Sequence, residues 1–342
     1  MGSGRKTRFQ LCSHYWTNIV PGISNINYTM AIYVHTCPQQ DGILVLNKPK
    51  GPTSAACIGI IKRKLGQRKI GHAGTLDPMA SGVLLVLLGQ ATKLSGHLMD
   101  EGEKVYAGTV LLGQCTDTWD AEGTVLETKD TSHVTQAMLE GAVFAMKGET
   151  EQEVPPYSAA KHKGKPLYEL ARKGLETPVK TKTVRVTDVA IEWVDLPRFG
   201  FRVSCGSGTY IRSLAHSLGI RLRTGATLME LTREYSHPFG LTAAHDLDEV
   251  TAHPERLSEC VVSIADALPS WPRLTLDANQ TSLVRNGMKV PHEQHLLAAP
   301  FTQGSNALML NKDGCAVALA TAVIESGREA WAVMRGLWNE SV

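Results

Sequence analysis

The 342 residues are 43% hydrophobic and 20% charged and carry a formal net charge of +2, a composition that suits a globular chain with two cores, since single cores rarely outgrow roughly 250–300 residues. No stretch approaches the roughly 18 uninterrupted apolar residues of a spanning helix, so no membrane partner is expected. The seven cysteines (Cys12, Cys37, Cys57, Cys115, Cys205, Cys260, Cys315) are odd in number and include no CxxC pair, which argues for reduced thiols in the cytoplasm rather than a disulfide framework or a zinc cluster.

The first thirty or so residues show no sustained period of 2 or 3.6, and residues 1–40 lack the apolar core and cleavage site of a signal peptide. They are expected to be a flexible extension or an overcalled start, with Met30 as a second candidate start and residues 1–29 dispensable. Order begins with "GILVLNKPKG", an apolar strand that Lys48-Pro49 ends. Thr53 or Ser54 caps a helix whose stripe is Cys57, Ile60, Ile61 and Leu65 and which Gly66 closes; Lys62, Arg63 and Lys64 then face outward. "GVLLVLLG" reads as a buried strand and "ATKLSGHLMD" as a short helix. In "KVYAGTVLLG" the alternation puts Tyr106, Gly108, Val110 and Leu112 on one face. Val134, Met138, Leu139, Val143 and Met146 mark a further helix. The proline-rich turn "VPPYSAAKHKGKPLYELARKG" follows, then strands around "TVRVTDVAIEWV" and "FRVSC", then "GSGTYIRSLAHSLG", a glycine turn into a helix. This mixture is α+β. "ALPSWPRLTL" reads as a boundary, which divides the ordered chain into residues 41–266 and a small β-rich module, 267–342.

Few common catalytic signatures are present. There is no Walker GxxxxGK[ST] and no GxSxG, and "GSGTYIR" lacks the third glycine of a dinucleotide site. In "HEQH", His292 and His295 miss the spacing that brings two imidazoles to one metal. "TDTWDAEG" reads as a turn whose Asp side chains bond backbone amides. Charge is more informative: seven Lys or Arg and no acid lie between Asp41 and Asp77, and eight basic residues against Glu169 and Glu176 fill residues 161–185. Such runs, Lys161 included, are solvated faces or phosphate contacts.

In "GHAGTLDPMASG" a lone acid, Asp77, sits among Gly71, Gly74, Gly82 and Pro78. An Asp before Pro is commonly a turn former. Here the glycines, the proline and the buried strand beyond supply a rigid frame, as nucleophilic or general-base catalysis requires.

The stretch resembles the motif GHxGxLDPxAxG of the TruB-type tRNA pseudouridine synthases of bacteria, matched at every fixed position. "GILVLNKPKGPTS", "KVYAGTVLLGQCTDTWDAEG", "VPPYSAAKHKGKPLY" and "VSCGSGTYIRSLAHSLG" follow in family order, so the resemblance spans roughly Asp41 to Asp266, with a weaker likeness of the tail to a PUA-like domain. It implies a mixed-sheet catalytic domain. It also implies Asp77 as catalytic aspartate, Tyr106 as the aromatic stacked on the target base and Arg212 as the aspartate's partner, with His72 holding the opened T-loop and Lys48, Lys93 and Asp120 near the bound nucleotide. The chain departs from the pattern by a residue missing before Tyr157, by Ser217 where Asp is common, and by Trp119 in a loop otherwise small and polar.

The implied reaction breaks the C1′–N1 bond of uridine 55 in the tRNA T-loop and rejoins the base through C5, with no metal or other cofactor. Asp77 either attacks covalently or deprotonates the ribose. The base must flip onto an aromatic, which points to Tyr106. An enclosed Asp77 favours its protonated form by desolvation, and the Arg212 fork opposes this. The expected partner is the T-arm of tRNA, with the protein monomeric and free of an obligate protein partner. A guide-RNA-dependent relative, an idle tRNA-binding or folding protein, and an aspartate-nucleophile hydrolase are the alternatives.

Overall fold

The computed structural model describes residues 38–175, 177–292 and 301–338. The expected N-terminal extension, apart from its last three residues, lies outside these, as does His295. Gln39 and Gln40 already hydrogen-bond to the segment 66–68.

In chain order the first elements are β1 (Gly42–Lys48), α1 (Ser54–Leu65), β2 (Ile70–Ala73), β3 (Ala80–Leu88), α2 (Ser95–Asp100), β4 (Lys104–Leu112), β5 (Gln114–Thr116) and β6 (Val125–Thr128). They are followed by α3 (Gln136–Phe144), β7 (Gly148–Glu153), β8 (Lys161–His162), β9 (Lys165–Pro166), α4 (Leu167–Arg172), β10 (Thr181–Asp195), β11 (Arg198–Cys205), α5 (Ile211–Leu222) and β12 (Ala226–Ser236). The path of the main sheet runs β1-β3-β12-β4-β11-β10-β7, with β3 and β12 parallel and the other neighbours on this path antiparallel. The sheet is therefore mixed.

The apolar runs of β1 and β3 do not alternate with polar residues because both faces of the sheet are covered. Leu44, Leu46, Leu84, Val86 and Leu88 join a core with Cys57, Ile61 and Leu65 of α1 and with Leu214 and Leu218 of α5. Their neighbours Ile43, Val45, Val83, Leu85 and Leu87 face the other way, onto Trp271, Leu308, Leu319 and Leu337. A five-stranded sheet made of Arg273–Thr275, Asn306–Leu310, Ala316–Glu325, Arg328–Gly336 and Val290–Pro291 thus packs through the second core and keeps a third around Trp331.

Local signals explain most boundaries. Thr53 caps α1 by accepting the Ala56 amide, and Gly66 ends it at φ +63°. The expected stripe of α3 is shifted: Leu139, Ala142 and Val143 are buried, whereas Met138 is exposed and Met146 lies beyond the helix end. α5 packs against β12, and its first turn meets the β2–β3 loop, where Arg212 reaches Asp77.

Candidate active site

Asp77 rises from the loop between β2 and β3, and that loop is fastened from three sides. The Ser54 hydroxyl donates to the Leu76 carbonyl at 3.0 Å and accepts the Leu76 amide at 2.9 Å. The Gly51 amide donates to the Pro78 carbonyl at 2.8 Å, and the Ala80 amide closes a turn on the Asp77 carbonyl at 3.1 Å. Lys48, at the end of β1 and fully buried, donates to the carbonyls of Pro49 (2.9 Å) and Ala80 (2.8 Å). Burial pushes its ammonium below the ordinary lysine value, and nearby Cys57, Asp77 and Glu122 oppose this. Lys48 thus ties β1 to the turn that carries Asp77.

Two of the motif's glycines are required by backbone geometry. Gly74 and Gly82 sit at φ +82° and +104°, and a Cβ on Gly82 would stand 2.2 Å from the Arg233 carbonyl oxygen. Gly71 differs from expectation, because it is not among the positive-φ glycines and a Cβ there would meet only the Thr92 methyl at 3.7 Å.

Arg212, the second residue of α5, is 4% exposed. Its Nε donates to Asp77 Oδ2 at 2.9 Å and its Nη2 to Asp77 Oδ1 at 3.0 Å, two parallel charge-assisted bonds. Nη1 donates to the Thr118 carbonyl at 3.0 Å and Nη2 also to the Tyr157 carbonyl at 3.1 Å. The cation is buried and uses four of its five N–H groups in these bonds, while the Asp77 side chain keeps 32% of its surface open. Asp77 can therefore meet a ligand and Arg212 cannot.

The "TDTWDAEG" segment is the turn its composition suggested: Asp117 accepts the Thr124 amide and Asp120 accepts the Glu122 amide. Asp120 also faces the pair, its Oδ2 3.6 Å from Arg212 Nε. Burial raises its carboxyl, opposed by the Thr118 hydroxyl bond and then by Arg212. Glu122 is raised as well, first by burial and then by Asp120 and Asp77.

Tyr106 on β4 is 7% exposed and lies across from Arg233 of β12. Burial raises its phenol and the Arg233 cation pulls the other way. Arg233, 1% exposed, donates to the carbonyls of Val83 (2.7 Å) and Gly74 (3.0 Å), so it links the tyrosine to the aspartate loop. Sequence reading did not single it out. The available signal was parity with Leu231 on an alternating strand, which assigns Arg233 to the buried face.

The remaining candidates are spread more widely. His72 on β2 is half-buried, its Nδ1 has no hydrogen-bond partner among the described residues, and burial followed by the Arg233 charge lowers its pKa, so the ring is neutral at pH 7. Lys93 is not brought to Asp77: it follows the far end of β3 and donates to the Gly336 carbonyl at 2.6 Å, in the C-terminal sheet. Lys62, Arg63 and Lys64 are exposed on the last turn of α1, where cations suit the helix dipole. Lys161 is exposed in the β8–β9 hairpin. Among the described residues no group of His, Cys, Asp and Glu is arranged to hold a metal, and no helix is long and apolar enough to cross a membrane.

Comparison with known proteins places these residues in context. Residues 62–211 match the model of the TruB family pseudouridylate synthases, N-terminal domain. The chain is 61% identical over 302 residues to tRNA pseudouridine synthase B of Nitratidesulfovibrio vulgaris, an alignment that covers 88% of this chain and 99% of that one. The protein of the same name from Oleidesulfovibrio alaskensis is 58% identical over 302 residues, covering 88% and 97%. Among solved structures, a chain from a Cbf5-Nop10-Gar1 complex superposes with a TM-score of 0.66 at 25% identity, covering 87% of this chain and 85% of that one.

Proposed function

Since the chain belongs to the TruB family of pseudouridylate synthases, we propose that it isomerises one uridine of tRNA, position 55 in the T-loop, to pseudouridine, with Asp77 as the group acting at the sugar–base junction. The mixed sheet is the catalytic fold of this family, residues 41–266 forming its domain, and the C-terminal sheet is the PUA-like module, 267–342. On this reading the protein acts as a cytoplasmic monomer without guide RNA, partner protein or cofactor.

The observation that carries the proposal is the Arg212 fork on a half-open Asp77. Isomerisation breaks C1′–N1 and forms C1′–C5; the C5 proton leaves and N1 gains one, so atoms and electrons balance without an external reagent. The step needs a carboxylate held at the sugar and a pocket that retains the detached uracil. Arg212 fixes the direction of the carboxylate through two parallel bonds. Tyr106 stacks on the flipped base and recovers part of the few kcal/mol that unstacking costs. The exposed Lys62, Arg63, Lys64 and Lys161 contact phosphates and position the RNA, whose loop is recognised largely by shape. His72 supports the opened loop and Asp120 flanks the nucleotide; Lys48 acts from beneath, by holding the turn, and Lys93 by holding the C-terminal sheet.

The test is incubation of the purified protein alone with a T-arm stem-loop carrying tritium at uridine C5. Tritium release with a single pseudouridine mapped to the T-loop is expected. No release, or free uracil in its place, contradicts the proposal.

A further inference from the structure

Trp119 stands in the left-handed region, at φ +65°, a conformation that a bulky residue keeps only when its surroundings hold it. What holds it is a flat stack: the indole lies 4.1 Å from the imidazole of His216 with the planes 5° apart, and Trp119 is 8% exposed. His216 is one helical turn beyond Arg212 on the same face of α5. Next to Trp119 in the loop, the Thr118 carbonyl accepts the Arg212 Nη1 bond and the Asp120 carboxylate stands 3.6 Å from Arg212 Nε. The backbone from Trp119 onward is laced to β12, the Leu228 amide donating to the Trp119 carbonyl at 3.1 Å and the Ala121 amide to the Leu228 carbonyl at 3.0 Å. The β5–β6 loop therefore meets α5 at two points, Arg212 and His216.

We infer that Trp119 and His216 form a positioning pair for the reaction: their stack fixes the Thr118 carbonyl and, through it, the plane in which Arg212 presents its fork to Asp77. Two bonds to Asp77 align the guanidinium with the carboxylate but leave the joined pair free to swing about the arginine stem. The Tyr157 carbonyl restrains the pair at Nη2, and the bond from Nη1 to the Thr118 carbonyl, on the loop that the stack immobilises, restrains it at the other terminal nitrogen. Glycine would occupy φ +65° without strain, so a wide aromatic kept at this position is explained by what it packs against. Among the described residues the Asp77 side chain bonds to Arg212 and to neither ring, so Trp119 and His216 act as positioning residues. The kinetic consequence rests on the proposed function, whereas the geometry does not.

The experiment compares wild type with Trp119→Gly, Trp119→Phe and His216→Leu. Trp119→Gly removes strain and ring together, Trp119→Phe retains a ring, and His216→Leu removes the opposite ring should the glycine variant fail to fold. Solvent exchange of the Arg212 Nε–H is followed by nitrogen-15 NMR, with the signal assigned by its loss in Arg212→Lys. Single-turnover rate at saturating T-arm RNA and RNA Kd are measured alongside. Trp119→Gly and His216→Leu should each speed Nε–H exchange and slow the saturated rate by at least about tenfold, with Kd changed by less than about threefold, and Trp119→Phe should restore most of both. Unchanged exchange on removal of either ring, or a phenylalanine no better than glycine, overturns the inference. A wild type that forms no pseudouridine overturns the proposed function instead, and the exchange data still decide the role of the stack.

Discussion

Replacing Arg212 probes the pair at the centre of the site. The guanidinium makes two bonds to the carboxylate oxygens of Asp77 and one each to the carbonyls of Thr118 and Tyr157. Arg212→Ala deletes all four and leaves Asp77 and Asp120 facing each other without the intervening cation. Breaking a buried pair costs about 3–5 kcal/mol; with 32% of the Asp77 side chain open to water, re-solvation brings this towards the lower end, about 3 kcal/mol. The same amount expressed in the barrier is a rate loss of about two decades. Arg212→Lys keeps the charge but offers a point ammonium rather than a plane, so it cannot serve both carboxylate oxygens and two separate carbonyls. Losing a charged hydrogen bond costs about 1.5–3 kcal/mol, so roughly one to two decades of rate are expected to go. Urea unfolding gives the stability change and single-turnover kinetics on T-arm RNA the rate. An alanine variant with wild-type rate and stability would refute the reasoning and assign the carboxylate's support to backbone amides of the glycine loop.

Glycine geometry separates two positions in the motif: Gly82→Ala, with φ +104° and a clash with the Arg233 carbonyl, should lose at least about 2 kcal/mol by urea unfolding. Gly71→Ala, with room at its Cβ, should stay within about 1 kcal/mol; equal losses would contradict the account. Charge reversal of Lys62 and Arg63, both exposed on α1, should weaken RNA binding and lower the salt slope by about two, and an unchanged slope would leave that helix as a solvated face only. Burial holds the folded His72 below its ordinary value of 6.5. Between those two values the unfolded chain binds more protons, so stability present above 6.5 is lost as pH falls through the window. His72→Gln should make that fall in urea midpoint shallower, and an unaltered profile would show the ring does not contribute.

The parts of the fold governed by neighbours in sequence were legible. The cap and stop of α1 at Thr53 and Gly66 follow from local hydrogen bonding and a left-handed φ. The face shared by Tyr106, Val110 and Leu112 follows from strand period, and all three are buried. Asp77 and Arg212 are 135 positions apart, so no local rule joins them; motif order named both, and the folded chain supplies the distance. Arg233 was missed because its partners, the Val83 and Gly74 carbonyls, are backbone groups that leave no mark in sequence. Trp119 was legible only as a departure, since its partner His216 lies on an element placed by the tertiary fold. Lys93 went with the C-terminal sheet because that sheet docks on the back face of β1 and β3, a packing that the unbroken apolar runs permit without specifying.

The most direct test of the central claim is the single-turnover rate of tritium release from T-arm RNA by Asp77→Asn, with RNA affinity measured on the same preparation. The amide keeps the size of the carboxylate and loses its nucleophilicity and basicity. The account predicts no detectable release, with Kd within about tenfold of wild type, or roughly 1.4 kcal/mol. Pseudouridine formed at an appreciable rate by the verified variant would show that the group acting at the sugar–base junction is not Asp77.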